Sequence, residues 1–330
     1  SINNFNNKPI IMKIETPRNI RLFFLLFLEI GAITGGGSLI ISPSGKFLRI
    51  PLSMIEKSPF MLITLSILII FIMVLIIGKI NLSHRFDKEV KELFSQSKSI
   101  SNETFSYKQL SNLPEPVQRY FRHVLKEGQP YINYARLTHD GLFKTGLDKK
   151  WQSIKGEQYF TTENPGFIWK GKTTMFTARD MYIAGKGRLV VSLFSLFNIV
   201  NGQGEKFNQG ELLRWLAESV WFPTNLLPSQ KLQWTTIDSH TAKLTFKYNE
   251  LSIFYITTFN DTGEIIQIET KRFMGNGNME TWIGKLTNYK DLNGIKVPTI
   301  IEALWKLEEG DFSYARFNLK MIEYNKPEKF

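Results

Sequence analysis

The sequence predicts an α+β protein: an antiparallel open half-barrel sheet with one or two packed helices, preceded by two transmembrane helices. Three observations carry that expectation. Two apolar runs of bilayer length lie near the N-terminus. A long C-terminal stretch consists of short segments in which apolar residues recur at every second position. One segment, GELLRWLAESVWFPTNLLPS from Gly210 to Ser229, recurs at helical spacing instead, until Pro223 interrupts it.

Leu22 to Ile41 reads LFFLLFLEIGAITGGGSLII, close to the ~20 residues that a membrane-crossing helix requires. Its Glu29 costs roughly 2.5–3.5 kcal/mol on insertion scales, so it is expected to be neutral, paired or turned toward a partner helix. Gly31 and Gly35 form a small-xxx-small pair suited to close helix approach. Phe60 to Ile77 reads FMLITLSILIIFIMVLII, without a charge or a proline, and is the clearer span. The residues before Met12 read as a disordered tail or as lying outside the native product. The resulting division is a tail over 1–21, a two-helix membrane module over 22–80, a juxtamembrane helix and linker over 81–104, and a soluble antiparallel β-rich domain over 105–330.

Within the soluble part, LPEPVQRYFRHVL predicts a helix, because Val117, Tyr120, Phe121, Val124 and Leu125 recur at helical spacing behind two prolines. From Tyr131 the period falls to two. Segments such as WQSIKGEQYF, PGFIWKGK, AKLTFKY and LSIFYITTF are separated by turn residues, including Asn260-Asp261-Thr262-Gly263 and Leu292-Asn293-Gly294. Roughly twelve strands are expected. They are antiparallel, since they follow one another without the crossover helices that parallel pairing needs.

Charge and composition narrow the function. The net charge is +11, and 12 of the 41 basic but only 6 of the 30 acidic residues fall within positions 1–100. This excess beside the apolar runs suits membrane flanks better than nucleic acid, for which the C-terminal part has no concentrated basic face. Lysines and arginines number four before the first run, three in the connector and four after the second, a slight preference for a cytoplasmic soluble domain. The absence of cysteine excludes disulfides, thiolate metal sites and a cysteine nucleophile.

Glu211, Arg214 and Glu218 are spaced by three and four, so they share a helix face. As a surface ladder they would contribute only about 0.3–0.5 kcal/mol per pair. Across the mouth of a curved sheet, Arg214 could instead anchor an anionic head group while Trp215, Trp221 and Phe222 wall an apolar cavity. The alternative is a helix that plugs the barrel and only packs. Arg179, Asp180 and Arg272 are further candidates for the same pocket. His139 and Asp140 are adjacent in a strand and therefore face opposite ways, so they make no dyad without a bulge. The four histidines have no metal-ligand spacing, and neither H-E-x-x-H nor G-x-S-x-G occurs. No catalytic residue, cofactor or metal site is expected.

Two resemblances add to these readings. Gly35-Gly36-Gly37, Pro43-Ser44-Gly45, Pro51 and Ser58-Pro59-Phe60 resemble a membrane module of small bacterial integral-membrane proteins of unknown function. LPEPVQRYF, Pro165 to Trp169, Asp180-Met181-Tyr182 with Gly185 and Gly187, the opening helical segment, and Tyr289 with Gly294 and Pro298 resemble an uncharacterised bacterial domain family over residues 105–326. More distantly, the hairpin series is similar to the half-barrels of periplasmic lipoprotein carriers. The expected role is a membrane-anchored binding module of the bacterial inner membrane, multi-pass, with the bilayer and a lipid or amphipathic ligand as partners. The alternatives are a protein-interaction or signalling module with a membrane-protein partner, and a membrane-lipid hydrolase.

Overall fold

The computed structural model of the protein describes residues 59–97 and 100–330. The expected first span, its Glu29 and glycine pair, and the N-terminal tail lie outside the described residues. The second apolar run lies within helix α1 (Pro59–Ser95), which continues well beyond it. Among the described residues this is the one helix long and apolar enough to cross a membrane.

The two halves of α1 meet different surroundings. Most large apolar side chains from Ile63 to Ile80 are 38–57% exposed, Phe71 and Leu75 being half-buried. Farther along, Phe86, Val90 and Leu93 are buried, at the spacing of one helix face, against Tyr159, Ile168, Met181 and Ile183. Polar contacts reinforce that seam. Arg179 pairs with Glu89, Lys329 pairs with Asp87 at 2.5 Å, and the Lys170 ammonium lies 3.8 Å from the centre of the Phe86 ring. The segment expected as a separate juxtamembrane helix therefore begins as a continuation of α1 docked on the domain.

After a 3-10 turn (Tyr107–Leu110) closed by a Ser106–Gln109 capping box, helix α2 (Glu115–Val124) follows Pro114 and carries Pro116 in its first turn, where a missing N–H costs nothing. It buries Val117, Tyr120, Phe121 and Val124 as expected, and the fifth expected residue, Leu125, is buried as the residue that ends the helix.

Thirteen strands follow, one more than the sequence suggests. The first six are β1 (Tyr134–Phe143), β2 (Gln152–Thr161), β3 (Gly166–Lys172), β4 (Phe176–Ile183), β5 (Lys186–Leu193) and β6 (Phe197–Gln203). Helix α3 (Glu205–Glu218) intervenes, ending in two 3-10 turns around Phe222 and Pro223. The remainder are β7 (Leu232–Thr236), β8 (Thr241–Tyr248), β9 (Leu251–Phe259), β10 (Ile265–Phe273), β11 (Met279–Leu292), β12 (Ile295–Leu307) and β13 (Gly310–Tyr324). All belong to one open antiparallel sheet ordered β6-β5-β4-β3-β2-β1-β13-β12-β11-β10-β9-β8-β7. Two meanders are thus joined along β1 and β13, and β6 and β7 form the free edges.

The chain must travel from one free edge to the other, and α3 makes that passage across the concave face. It touches β3, β4, β5 and β6 on one side and β9 and β10 on the other. A helix so enclosed has little room for a polar face. Phe207, Glu211, Leu212, Leu213, Trp215, Leu216 and Ala217 are all buried. Strand alternation then assigns the opposite face: Phe160, Phe167 and Trp169 join the core around α3, while Tyr159 and Ile168 turn to α1.

Candidate functional site

Glu211, Arg214 and Glu218 of α3 do not form a surface ladder. They point into the sheet, where Arg214 Nη1 donates to Asp180 Oδ2 at 2.5 Å and Nε donates to Glu218 Oε1 at 2.9 Å. Gln158 Nε2 donates to the second oxygen of Glu218 at 2.6 Å. The Arg214 guanidinium also lies 5.0 Å from the Phe167 ring centre and 4.9 Å from that of Trp169. Strand pairing explains how these groups converge. Gln158 faces Trp169 across β2–β3, and Trp169 faces Asp180 across β3–β4, so the three project from one face of neighbouring strands.

Electrostatically the cluster is incomplete. Burial pushes the Glu211 carboxyl well above the usual carboxylate range, Asp180 pushes it the same way, and Arg272 and Arg214 oppose the shift. Burial likewise raises Glu218, against the pull of Arg214 and Gln158. For Arg214 itself, burial disfavours the charge, but Glu218, Asp180 and Glu211 outweigh it and hold the guanidinium protonated. Held protonated, Glu211 can donate to the neighbouring Asp180 carboxylate, whereas Arg272 Nε is buried without a hydrogen-bond partner. Such an orphan costs about 1–3 kcal/mol.

The apolar candidates are placed with equal definition. Trp215 is 1% exposed and donates from Nε1 to the Thr161 carbonyl at 2.9 Å. Trp221 is 1% exposed and donates to the Pro298 carbonyl at 3.0 Å. Phe222 is fully buried, 4.7 Å from the Phe160 ring. Side chains of α3 and the turns after it therefore fill the concavity that the sequence reading left for a guest. Cavities of about 210 and 270 Å³ lie elsewhere. The first is bounded by Leu93, Gln96, Asn164, Ala184 and Asn249, the second by Pro130, Asn293 and Tyr324, and none of the six candidate residues lines either.

Of the further candidates, Asp180 joins Arg214, and Arg272 lies beside Gly210 of α3, with its guanidinium 5.8 and 5.7 Å from the ring centres of Trp282 and Trp305. Arg179 is on the other face, paired with Glu89 of α1. Since Arg179 and Asp180 are adjacent strand residues, alternation already implied that only one could reach the site. Gln158 was missed, although its spacing of two from Phe160 puts it on the same face.

His139 and Asp140 separate as expected. The β1–β13 register does shift between Thr138 and His139, yet His139 contacts only the backbone carbonyl of Asp140, at 3.4 Å. Its Nε2 accepts from Trp169 Nε1 at 2.8 Å, and its ring stacks on Phe317 at 4.2 Å. Burial lowers the imidazole to about 4, so it is neutral at pH 7 and suited to accept from Trp169. Asp140 instead pairs with Lys320 at 3.0 Å.

Residues 103–317 match a family of unknown function (DUF6544), and the chain belongs to that family. No curated relative matches the sequence. Among solved structures, a LolA superfamily protein from Nitrosomonas europaea is similar at 11% identity and a TM-score of 0.38, over 63% of this chain and 91% of that one. A DUF1329 family protein from Desulfovibrio piger is similar at 10% identity and a TM-score of 0.36, over 58% and 86%.

Proposed function

We propose that this member of a family without an assigned activity is a membrane-anchored binding module, in which α3 guards a site for a lipid or other amphipathic ligand. The observation that carries the reading is the Asp180–Arg214–Glu218–Glu211 cluster inside an aromatic concavity. A plug needed only for packing is served as well or better by apolar residues, because buried ion pairs seldom add net stability. Here Asp180 and Glu218 both pair with Arg214, and a third carboxyl, Glu211, is buried beside them and held protonated against Asp180. An anionic head group would compete with Asp180 or Glu218 for Arg214, and its chain would displace Trp215, Trp221 or Phe222 from the wall.

Anchoring is supported by α1, whose exposed apolar half runs without interruption into a half locked to the sheet. Lys79, Arg85, Lys88 and Lys91 follow the apolar run and favour the cytoplasmic side of a bacterial inner membrane. The test is native mass spectrometry of the full chain released from membranes, with titration of fatty acyl ligands against tryptophan fluorescence. Co-purifying lipid and a shift lost in Arg214→Met support the reading; no lipid and no shift refute it.

A second reading, a protein-interaction or signalling module at the membrane, is favoured by the filled concavity. Crosslinking in intact membranes separates the two, since a stoichiometric protein partner is expected only for the second.

A further inference from the structure

The end of the sheet nearest the start of the docked half of α1 carries an apolar surface that the binding site does not use. Two hairpin tips lie there, Thr173–Met175 between β3 and β4, and Phe194–Leu196 between β5 and β6. They are tied together, because the Phe194 N–H donates to the Met175 carbonyl at 2.8 Å. Leu196 packs on Gly78 of α1, which is buried where its apolar neighbours are exposed. Met175 is 47% exposed, and Phe194 and Leu196 are half-buried.

The position of Gly78 sets the level of these tips. At about 1.5 Å per residue, Pro59 to Ile77 spans about 28 Å, close to the ~30 Å thickness of a bilayer's hydrocarbon core. The first charge after the run is Lys79, so Gly78 falls at the boundary between hydrocarbon and head groups. Whatever touches Gly78 from the side is at that boundary too.

The turn chemistry supplies an independent observation. Leu196 N–H donates to the Leu193 carbonyl at 3.0 Å, and both central residues have positive φ, 51° at Phe194 and 63° at Ser195. Such a turn favours Asn-Gly, whereas a bulky residue with positive φ is strained. An aromatic side chain is therefore held at the tip against local preference. Backbone strain of this kind persists where the surroundings or a function demand it.

From these positions we infer that the paired β3–β4 and β5–β6 tips are a second membrane contact, resting Met175, Phe194 and Leu196 in the interfacial layer of the leaflet from which α1 emerges. The flanking Lys172 and Lys79 then lie at head-group level, where anionic lipid attracts them. The domain lies against the bilayer in one orientation instead of swinging from its anchor. This rests on α1 crossing the bilayer.

The chain has no cysteine, so single cysteines can report depth without background. Met175→Cys, Ser195→Cys, Ile70→Cys and Glu250→Cys are each made in the full chain and labelled with an environment-sensitive fluorophore. They are then reconstituted in vesicles of phosphatidylcholine and phosphatidylglycerol carrying spin-labelled lipid. The probes at 175 and 195 are expected to shift to the blue and to lose emission to lipid labelled near the head group. The probe at 70 should lose emission to lipid labelled deep in the acyl chain, and that at 250 to neither. Quenching at 70 with 175 and 195 as unquenched as 250 overturns the contact and leaves the anchor intact. No quenching at 70 overturns the anchor and the contact with it.

Discussion

Replacing Glu211 with glutamine should stabilise the protein at neutral pH, and the gain should depend on pH in a defined way. Glu211 is 4% exposed, close to Asp180, and its carboxyl is held protonated in the fold well above the usual range. In the unfolded chain it titrates near its ordinary value of about 4.5. A group whose folded value is raised contributes its stability below the unfolded value and loses it as pH rises toward the folded one. Over that interval unfolding releases one proton, and each pH unit removes up to about 1.4 kcal/mol. Glu211→Gln keeps the shape and a donor for Asp180 but does not titrate. The variant's advantage over the parent should therefore be flat below pH 4.5 and grow above it. For a domain of this size that is about 3–6 °C in Tm per pH unit. Thermal unfolding of the full chain in non-ionic detergent, followed by tryptophan fluorescence from pH 4 to 8, measures it. A constant difference, or one that shrinks as pH rises, would show that Glu211 is ionised in the fold and refute the reasoning.

Arg214→Met strands Asp180 and Glu218 as buried carboxylates and should cost about 3–5 kcal/mol at pH 7, read from the denaturant midpoint, with the deficit shrinking on acidification. His139 acts in the opposite pH direction: its folded value of about 4 lies below the ordinary 6.5, so stability is lost as pH falls between those values. His139→Gln should flatten the acid limb of the Tm profile over that window, and an unchanged limb counts against a buried neutral imidazole. A Cβ at Gly187 would collide with the backbone carbonyl of Phe207 in the first turn of α3. Gly187→Ala should therefore lower stability by about 1–3 kcal/mol and speed hydrogen exchange in α3 before the rest of the sheet. Glu89→Gln leaves Arg179, 1% exposed, without its partner carboxylate, and faster limited proteolysis after Ser95 is expected as α1 loosens.

Sequence pattern located most of the elements. Two prolines and five apolar residues at helical spacing placed α2, and period two with turn residues placed the strands and their antiparallel sense. The α3 segment was legible as a helix bearing Glu211, Arg214 and Glu218 on one face. What the pattern left open was where that face points. A surface ladder, a ligand wall and a packed plug all satisfy the same spacing, because spacing fixes neighbours along a helix and says nothing of what lies across from it. Asp180 and Gln158, the partners that distinguish these cases, are more than thirty residues away and are brought to Arg214 and Glu218 only through two successive strand pairings.

The sequence by itself determined the element types, the antiparallel connectivity and an apolar run of bilayer length. Local propensity and periodicity encode these within a window of a few residues. The tertiary structure decided that β1 pairs with β13, so that two meanders share one sheet with free edges at β6 and β7. That pairing obliges α3 to cross the concave face, bury its charges and fill the space with its tryptophans. It also brings the polar half of α1 onto the convex side. Both outcomes depend on contacts between distant parts of the chain, whose energies are set by what is buried together and not by the order in which the residues occur.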